Sequence, residues 1–418
     1  MPADNRTRPS RRQLLAASGA LFAWAATPRR ARAEARDPRF LAIVLRGALD
    51  GLGAVAPVGD PEWAKLRGDK GLALDGQTPA LPLDGFFALN PAMTNLHRLY
   101  QAKQATIVHA VATPYRERSH FDGQDVLESG AAKPRAVDTG WLNRAVATLA
   151  AAERMRPHER QAFAVGPVTP LVARGPAPVL AWSPQRLPPV ADDTTLRLLD
   201  LYRHTEPKFA QVIEDRMGLN AIAQGGMSGG DEDKNKPVVQ MGGIQQTRVY
   251  FAEAAGAAAK FLAAADGPRV GALAFDGWDT HINEGPVKGR LANLLGALDG
   301  ALAAVETNMG EAWHETVVAL VTEFGRTARI NGTDGTDHGT GTVAILAGGA
   351  LKGGRVVADW PGLKDADLYE HRDLKATTDL RAVLKGLLAD HLRVDARALA
   401  AAVFPDSAAV KPMPGLLA

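Results

Sequence analysis

Short apolar runs recur along this chain, and most of them end in a glycine-containing polar turn. They cover residues 40–45, 105–112, 161–165, 269–275, 316–322 and 342–347, and are rich in Val, Ile, Ala and Leu. None alternates strictly between apolar and polar positions, the pattern expected of strands covered on both faces. Between them the period changes. Leu291, Leu294, Leu295, Leu298, Leu302 and Val305 recur at helical spacing, which predicts an amphipathic helix. A second helix is expected over 247–265, and a third over 378–391 behind the capping segment Thr377-Thr-Asp379. Strands alternating with helices predict an α/β fold, a doubly wound and mostly parallel sheet flanked by helices. The proline-rich stretch 167–189 is expected to be loop or cap, and 224–237, rich in Gly, Asp and Lys, a surface loop. Neither divides two cores, so one elaborated domain is expected over 34–418.

The first 33 residues stand apart from this pattern. Arg11-Arg12 precedes a short, weakly apolar stretch, and a basic segment closes with Ala31-Arg-Ala33. That order describes a cleaved secretory signal, and the paired arginines favour the Tat translocase as the export partner. The apolar stretch is too short to span a bilayer, and no later one is long enough, so a periplasmic or secreted protein without a membrane span is expected. Cleavage would remove seven Arg and one Asp from 48 basic and 46 acidic residues, turning a net charge of +2 into −4. With no basic run carrying interleaved aromatics, nucleic acid is an unfavourable partner. The chain has no cysteine, which excludes disulfides, thiol catalysis and thiolate-held metal.

Five turns carry the candidate chemistry, most of them where an apolar run ends. An open α/β sheet binds ligands beyond the carboxyl ends of its strands, and Asp and His delivered there from several strands suit a hydrolytic metal site. Gly335-Thr-Asp-His-Gly339 offers Asp337 and His338 on opposite sides of an extended turn, serving two metals, or one metal and the substrate. In Gly277-Trp-Asp-Thr-His281, Asp279 and His281 are two apart, so an extended segment would turn both to one side to chelate an ion; Asp276 lies nearer the strand end. Asp50 stands at the tip of the first strand and is a candidate carboxylate ligand, though an Asp-Gly turn explains it nearly as well. In Arg118-Ser-His-Phe-Asp122, Ser119 is a candidate nucleophile beside His120, or else a helix cap. Glu323 is a candidate ligand and Arg326 a planar fork for phosphate or sulfate, with a structural ion pair as the alternative. His371 is a candidate late ligand, with a surface-loop role more expected.

Taken in order, these turns and Gly140-Trp-Leu-Asn-Arg144 resemble the exported bacterial family known as domain of unknown function 1501. That family is similar in turn to the alkaline phosphatase and sulfatase superfamily. The resemblance implies an alkaline-phosphatase-like sheet and a site built from an early strand-end Asp, a Ser or Thr nucleophile, an Asp…His ligand set and an Asp-His pair. On it, Asp50 takes the place of the early Asp, Asp337 and His338 the pair, Asp279 and His281 the middle ligands, and Ser119 the nucleophile. The middle spacing departs from the superfamily's Asp-x-x-x-His, no late histidine stands in a ligand context, and the Cys/Ser-x-Pro-x-Arg signature of formylglycine sulfatases is missing.

Two functions are therefore expected. One is an exported hydrolase of phosphate or sulfate esters, using a divalent cation (Zn, Mn or Ca) and a Ser or water nucleophile, with Arg326 or Arg46 neutralising the ester oxygens. Its substrate would be an anionic small-molecule ester or a glycan. The other is a non-catalytic envelope or binding protein that keeps the fold, in which the same turns are caps and ion pairs.

Overall fold

Among the described residues, nine strands form one mixed sheet with helices on both faces, beside a small three-stranded sheet. The computed structural model describes residues 36–152, 161–184 and 244–418, with Tyr202, Glu206, Ala210, Gln211 and Glu214 between them. The strands are β1 (Arg39–Arg46), β2 (Ala105–Ala112), β3 (Ala162–Val165), β4 (Val179–Trp182), β5 (Val270–Asp276), β6 (Thr316–Thr322), β7 (Thr342–Ala347), β8 (Arg355–Val357) and β9 (Thr378–Asp379). Their order is β8-β2-β7-β6-β1-β5-β3-β4, with β9 also pairing β2. Every adjacent pair is parallel except the two that β7 makes with β2 and β6. β7 alone runs against the rest.

Both faces of the sheet are buried, as the unbroken apolar runs predict. Along β1, Leu41, Ile43 and Leu45 join one core cluster, while Phe40, Ala42 and Val44 join another. Alternate side chains of a strand point to opposite faces, so a layer of helices must cover each. Helices α1 (Thr94–Gln101), α4 (Ile244–Ala263) and α5 (Arg290–Met309) supply the first layer. Helices α2 (His120–Ser129), α3 (Trp141–Ala151) and α6 (Leu380–Asp390) supply the second. The Asp379 carboxylate caps α6 by accepting from Arg381 N–H, which is the cap the sequence predicts.

The expectation for 167–189 is corrected in part. Leu171–Ala173 forms a single 3-10 turn, and Val179–Trp182 is the parallel edge strand β4, paired to β3. Prolines at 178 and 184 bracket that strand; proline is tolerated at a sheet edge because no neighbour needs its missing N–H. The expected loop 224–237 and the signal 1–33 lie outside the described residues.

Candidate metal centre

The direction of β7 decides where the candidate residues meet. β1, β2, β5 and β6 all end on the same edge of the sheet, and β7 begins there. Residues that follow β2 (His120), β5 (Asp279, His281) and β6 (Glu323) therefore share an edge with His338, which precedes β7. An isolated antiparallel bridge between Arg326 and His338 fixes the two approaching turns.

His120 is the first residue of α2. Its ring stacks on Phe324, centroids 5.1 Å apart. Asp279 and His281 lie in the turn after β5, held close to the turn after β1. Gly47 is what allows that approach. It adopts φ +117°, and a β-carbon there would stand 2.6 Å from Asp279 N, so a side chain would meet backbone that cannot swing aside.

Four donor atoms converge. His338 Nε2 lies 2.9 Å from His120 Nε2, 3.0 Å from His281 Nε2 and 3.2 Å from Asp279 Oδ1. His281 Nε2 lies 3.0 Å from Asp279 Oδ1, and His120 Nε2 lies 3.5 Å from Asp279 Oδ2. A tetrahedral ion about 2.0–2.1 Å from each donor spaces its donors roughly 3.3 Å apart. These separations, 2.9–3.5 Å, are close to that spacing, and among the described residues His120, Asp279 and His338 each offer a ligand atom within 4.8 Å of the other two.

The opposite ring nitrogens make the stronger argument. His120 Nδ1 meets Glu323 Oε1 at 2.9 Å, His281 Nδ1 meets Asp337 Oδ1 at 3.2 Å, and His338 Nδ1 meets the Arg118 carbonyl at 2.9 Å. A carbonyl and two ionised carboxylates can only accept, so each Nδ1 donates and each neutral ring turns its Nε2 lone pair inward. The His338 Nε2 lone pair thus faces those of His120 and His281, at 2.9 and 3.0 Å, and such pairs repel unless a cation or a proton lies between them. The residues present fit a metal ion, and their outer partners are of the kind that orient histidine ligands.

The charges agree with this arrangement. Burial alone would raise Glu323, but hydrogen bonds from His120, Gln124 and the Gly47 N–H hold its carboxyl below the usual range. Asp279 is likewise held low against burial by the Arg326 guanidinium, and Asp337 by Asn331 and His281. The Glu323 hydrogen bond raises His120, whereas burial and then the neighbouring His120 lower His338.

The other candidate residues have different partners. Asp50 is 1% exposed and gives both oxygens to the buried Arg67 guanidinium, at 2.7 and 3.0 Å. Glu323 and Asp337 stand behind imidazoles, as described. Arg326 is buried, and its guanidinium binds Thr336 Oγ1, the Thr336 carbonyl and Asp279 Oδ1. It orients Asp279 and does not present a fork to solvent. Arg46 is paired with Glu128. Ser119 occupies the N-cap position of α2 without making the capping hydrogen bond, so its hydroxyl is not spent there. His371 pairs with Asp365 on the surface. Sequence reasoning missed Arg118, whose role lies in its carbonyl, and Arg67, to which no motif pointed.

Fold and cluster together define a class: a mixed, mostly parallel α/β protein with a three-histidine, one-aspartate cluster at the strand-end edge. Residues 91–403 match the family described as protein of unknown function DUF1501, and the chain belongs to that family. No curated protein matches the sequence. Similar solved structures include Ps i-CgsB in complex with k-i-k-neocarrahexaose, at 12% identity and TM-score 0.38, over 77% of this chain and 69% of that one. Another is the C-terminal periplasmic domain of EcEptC from Escherichia coli in complex with Zn, at 9% identity and TM-score 0.33, over 75% and 73%. A third is the phosphonate monoester hydrolase of Agrobacterium radiobacter, at 12% identity and TM-score 0.29, over 77% and 70%.

Proposed function

We propose that the protein is an exported hydrolase of phosphate or sulfate esters that works at a single transition-metal ion held by His120, Asp279, His281 and His338. The observation that carries this reading is the convergence of three imidazole Nε2 atoms whose Nδ1 protons are all committed to acceptors. Three nitrogen donors and one carboxylate suit Zn first and Mn next; Ca, which takes six to eight oxygen ligands, is disfavoured.

A bound ion of this kind would polarise an ester oxygen and make a hydroxyl or water more acidic. The chain's own groups do the rest. Arg326 holds Asp279 in place, and Glu323, Asp337 and the Arg118 carbonyl fix the three rings. Ser119, next to His120 and free of capping duty, is the side-chain candidate for the nucleophile, with water as the other. The four cluster side chains are 23–40% exposed, which leaves one side open to a substrate. A closed structural site would bury them. The twin-arginine leader supports export, and among the described residues no helix is long and apolar enough to cross a membrane.

The test is elemental analysis of protein purified without chelator, beside His338→Ala, followed by a screen of aryl phosphate and sulfate esters. We expect about one equivalent of Zn or Mn in the wild type, little in the variant, and ester turnover that disappears with the metal. A metal-free, inactive wild type that is unaltered by the substitution would leave the binding-protein reading in its place.

A further inference from the structure

The turn Tyr369-Glu-His-Arg-Asp373 attracts notice in the sequence for its histidine, yet its other residues are the ones that reach the cluster. Asp373 is fully buried, and its Oδ2 accepts from Arg118 Nε at 2.9 Å and lies 2.8 Å from Nη2. Glu370 accepts from the same guanidinium, which also lies over the Tyr369 ring, 5.7 Å from its centroid. Arg372 donates to the carbonyl of His338. The turn thus grips two chain segments at once: Arg118 by its side chain, and His338 by its backbone.

The backbone of Arg118 explains why such a grip is needed. Its φ is +60°, a left-handed conformation that costs a residue with a β-carbon roughly 1–2 kcal/mol. In that conformation its carbonyl accepts from His338 Nδ1. The turn itself holds two further left-handed residues, Glu370 at +51° and His371 at +54°. Backbone bonds in both directions between Tyr369 and Asp373 close it, and a bridge from Asp373 to Thr327 ties it to the segment after β6. Strain of this sort persists only where the surroundings enforce it.

We propose that Asp373, with Glu370, is a positioning residue of the metal centre: it clamps Arg118 in the left-handed conformation that aims the Arg118 carbonyl at His338. The inference rests on the metal-centre reading above and extends it to a segment in which no residue touches the ion. With the clamp released, Arg118 relaxes, His338 Nδ1 loses its acceptor, and the ring is free to rotate its Nε2 out of the cluster.

The experiment compares wild type, Asp373→Asn and Arg118→Lys. It measures Zn affinity by competition with a chromophoric chelator, the visible spectrum of the Co-loaded protein, and the melting temperature of the metal-free form. We expect both variants to bind Zn about 10–100-fold more weakly and to shift the Co spectrum. Wild-type affinity and spectrum in both variants would overturn the proposal. So would a lower melting temperature alone with metal affinity unchanged, the mark of a purely structural ion pair. If Asp373→Asn does not fold, Arg118→Lys, which keeps the positive charge beside Asp373, carries the same two outcomes. A wild type that takes up no cation would overturn the metal-centre reading itself, and this inference with it.

Discussion

At the scale of single residues, what a histidine touches sets what it does. His120 and His338 lean on acceptors and face each other. His109 on β2 is wholly enclosed: its Nε2 meets the Val55 carbonyl at 2.9 Å, Ala110 N–H donates to its Nδ1, and Phe87 stacks on its ring. Burial pushes it down to about 4. It therefore stays neutral in the folded protein while the unfolded chain protonates near 6.5, and acid favours unfolding. Its contribution to stability is complete above pH 6.5 and falls away as the pH drops towards 4, by about 3 kcal/mol over that window. Denaturant titrations of wild type and His109→Gln from pH 4 to 7.5 should show a steeper acid-side loss in the wild type. Equal slopes would mean that His109 is not the group responsible. In the sequence this histidine lies within the apolar run 105–112, with no motif around it. The sequence could not show the burial that tunes it.

At the scale of elements, the centre depends on close approach between turns. Gly47 joins the exit of β1 to Asp279, and its N–H donates to Glu323 Oε1 at 2.8 Å. Replacing it with Ala asks an L-residue to hold φ +117° while its β-carbon collides with the backbone. We expect a loss of roughly 2–4 kcal/mol, from backbone strain plus overpacking, together with weaker metal uptake as Asp279 shifts. Chemical denaturation and metal content would check both, and unchanged values would mean that the turn yields without cost. Elements of this kind were largely legible beforehand. The six apolar runs correspond to β1, β2, β3, β5, β6 and β7 to within a residue at each end. Helix α2 was harder to read, because a glycine and several polar residues obscure its periodicity. Gly123 sits there because a β-carbon would stand 2.9 Å from the Phe324 ring. Strand β4 was hidden by the prolines around it.

At the scale of the molecule, a bound ion would tie turns from three separated stretches of chain into one body. Ligand that binds only the folded state adds about 2.7 kcal/mol at a hundredfold excess over its dissociation constant. Thermal melts of the loaded protein with and without a strong chelator should therefore differ by several degrees. The same chelator should leave His338→Ala unmoved. A wild type indifferent to chelator would argue that the histidines share a proton and never a metal.

The sequence by itself determined six of the nine strands, helices α4, α5 and α6, the capping segment ending at Asp379, and the turns that carry the cluster; it offered Asp279, His281 and His338 as ligands and His120 only as the neighbour of a serine nucleophile. Those are local properties, set by side-chain period, turn chemistry and residue type. Only the tertiary structure decided which donors meet. Asp50, at a strand tip like the others, is taken by Arg67, seventeen residues on. Glu323 and Asp337 fall behind rings, one shell outside the place their residue type suggested. His338 precedes its strand instead of following it, and reaches the common edge because β7 runs opposite to its neighbours. Strand direction and ring tautomer depend on partners far away in the chain, and no local period records them.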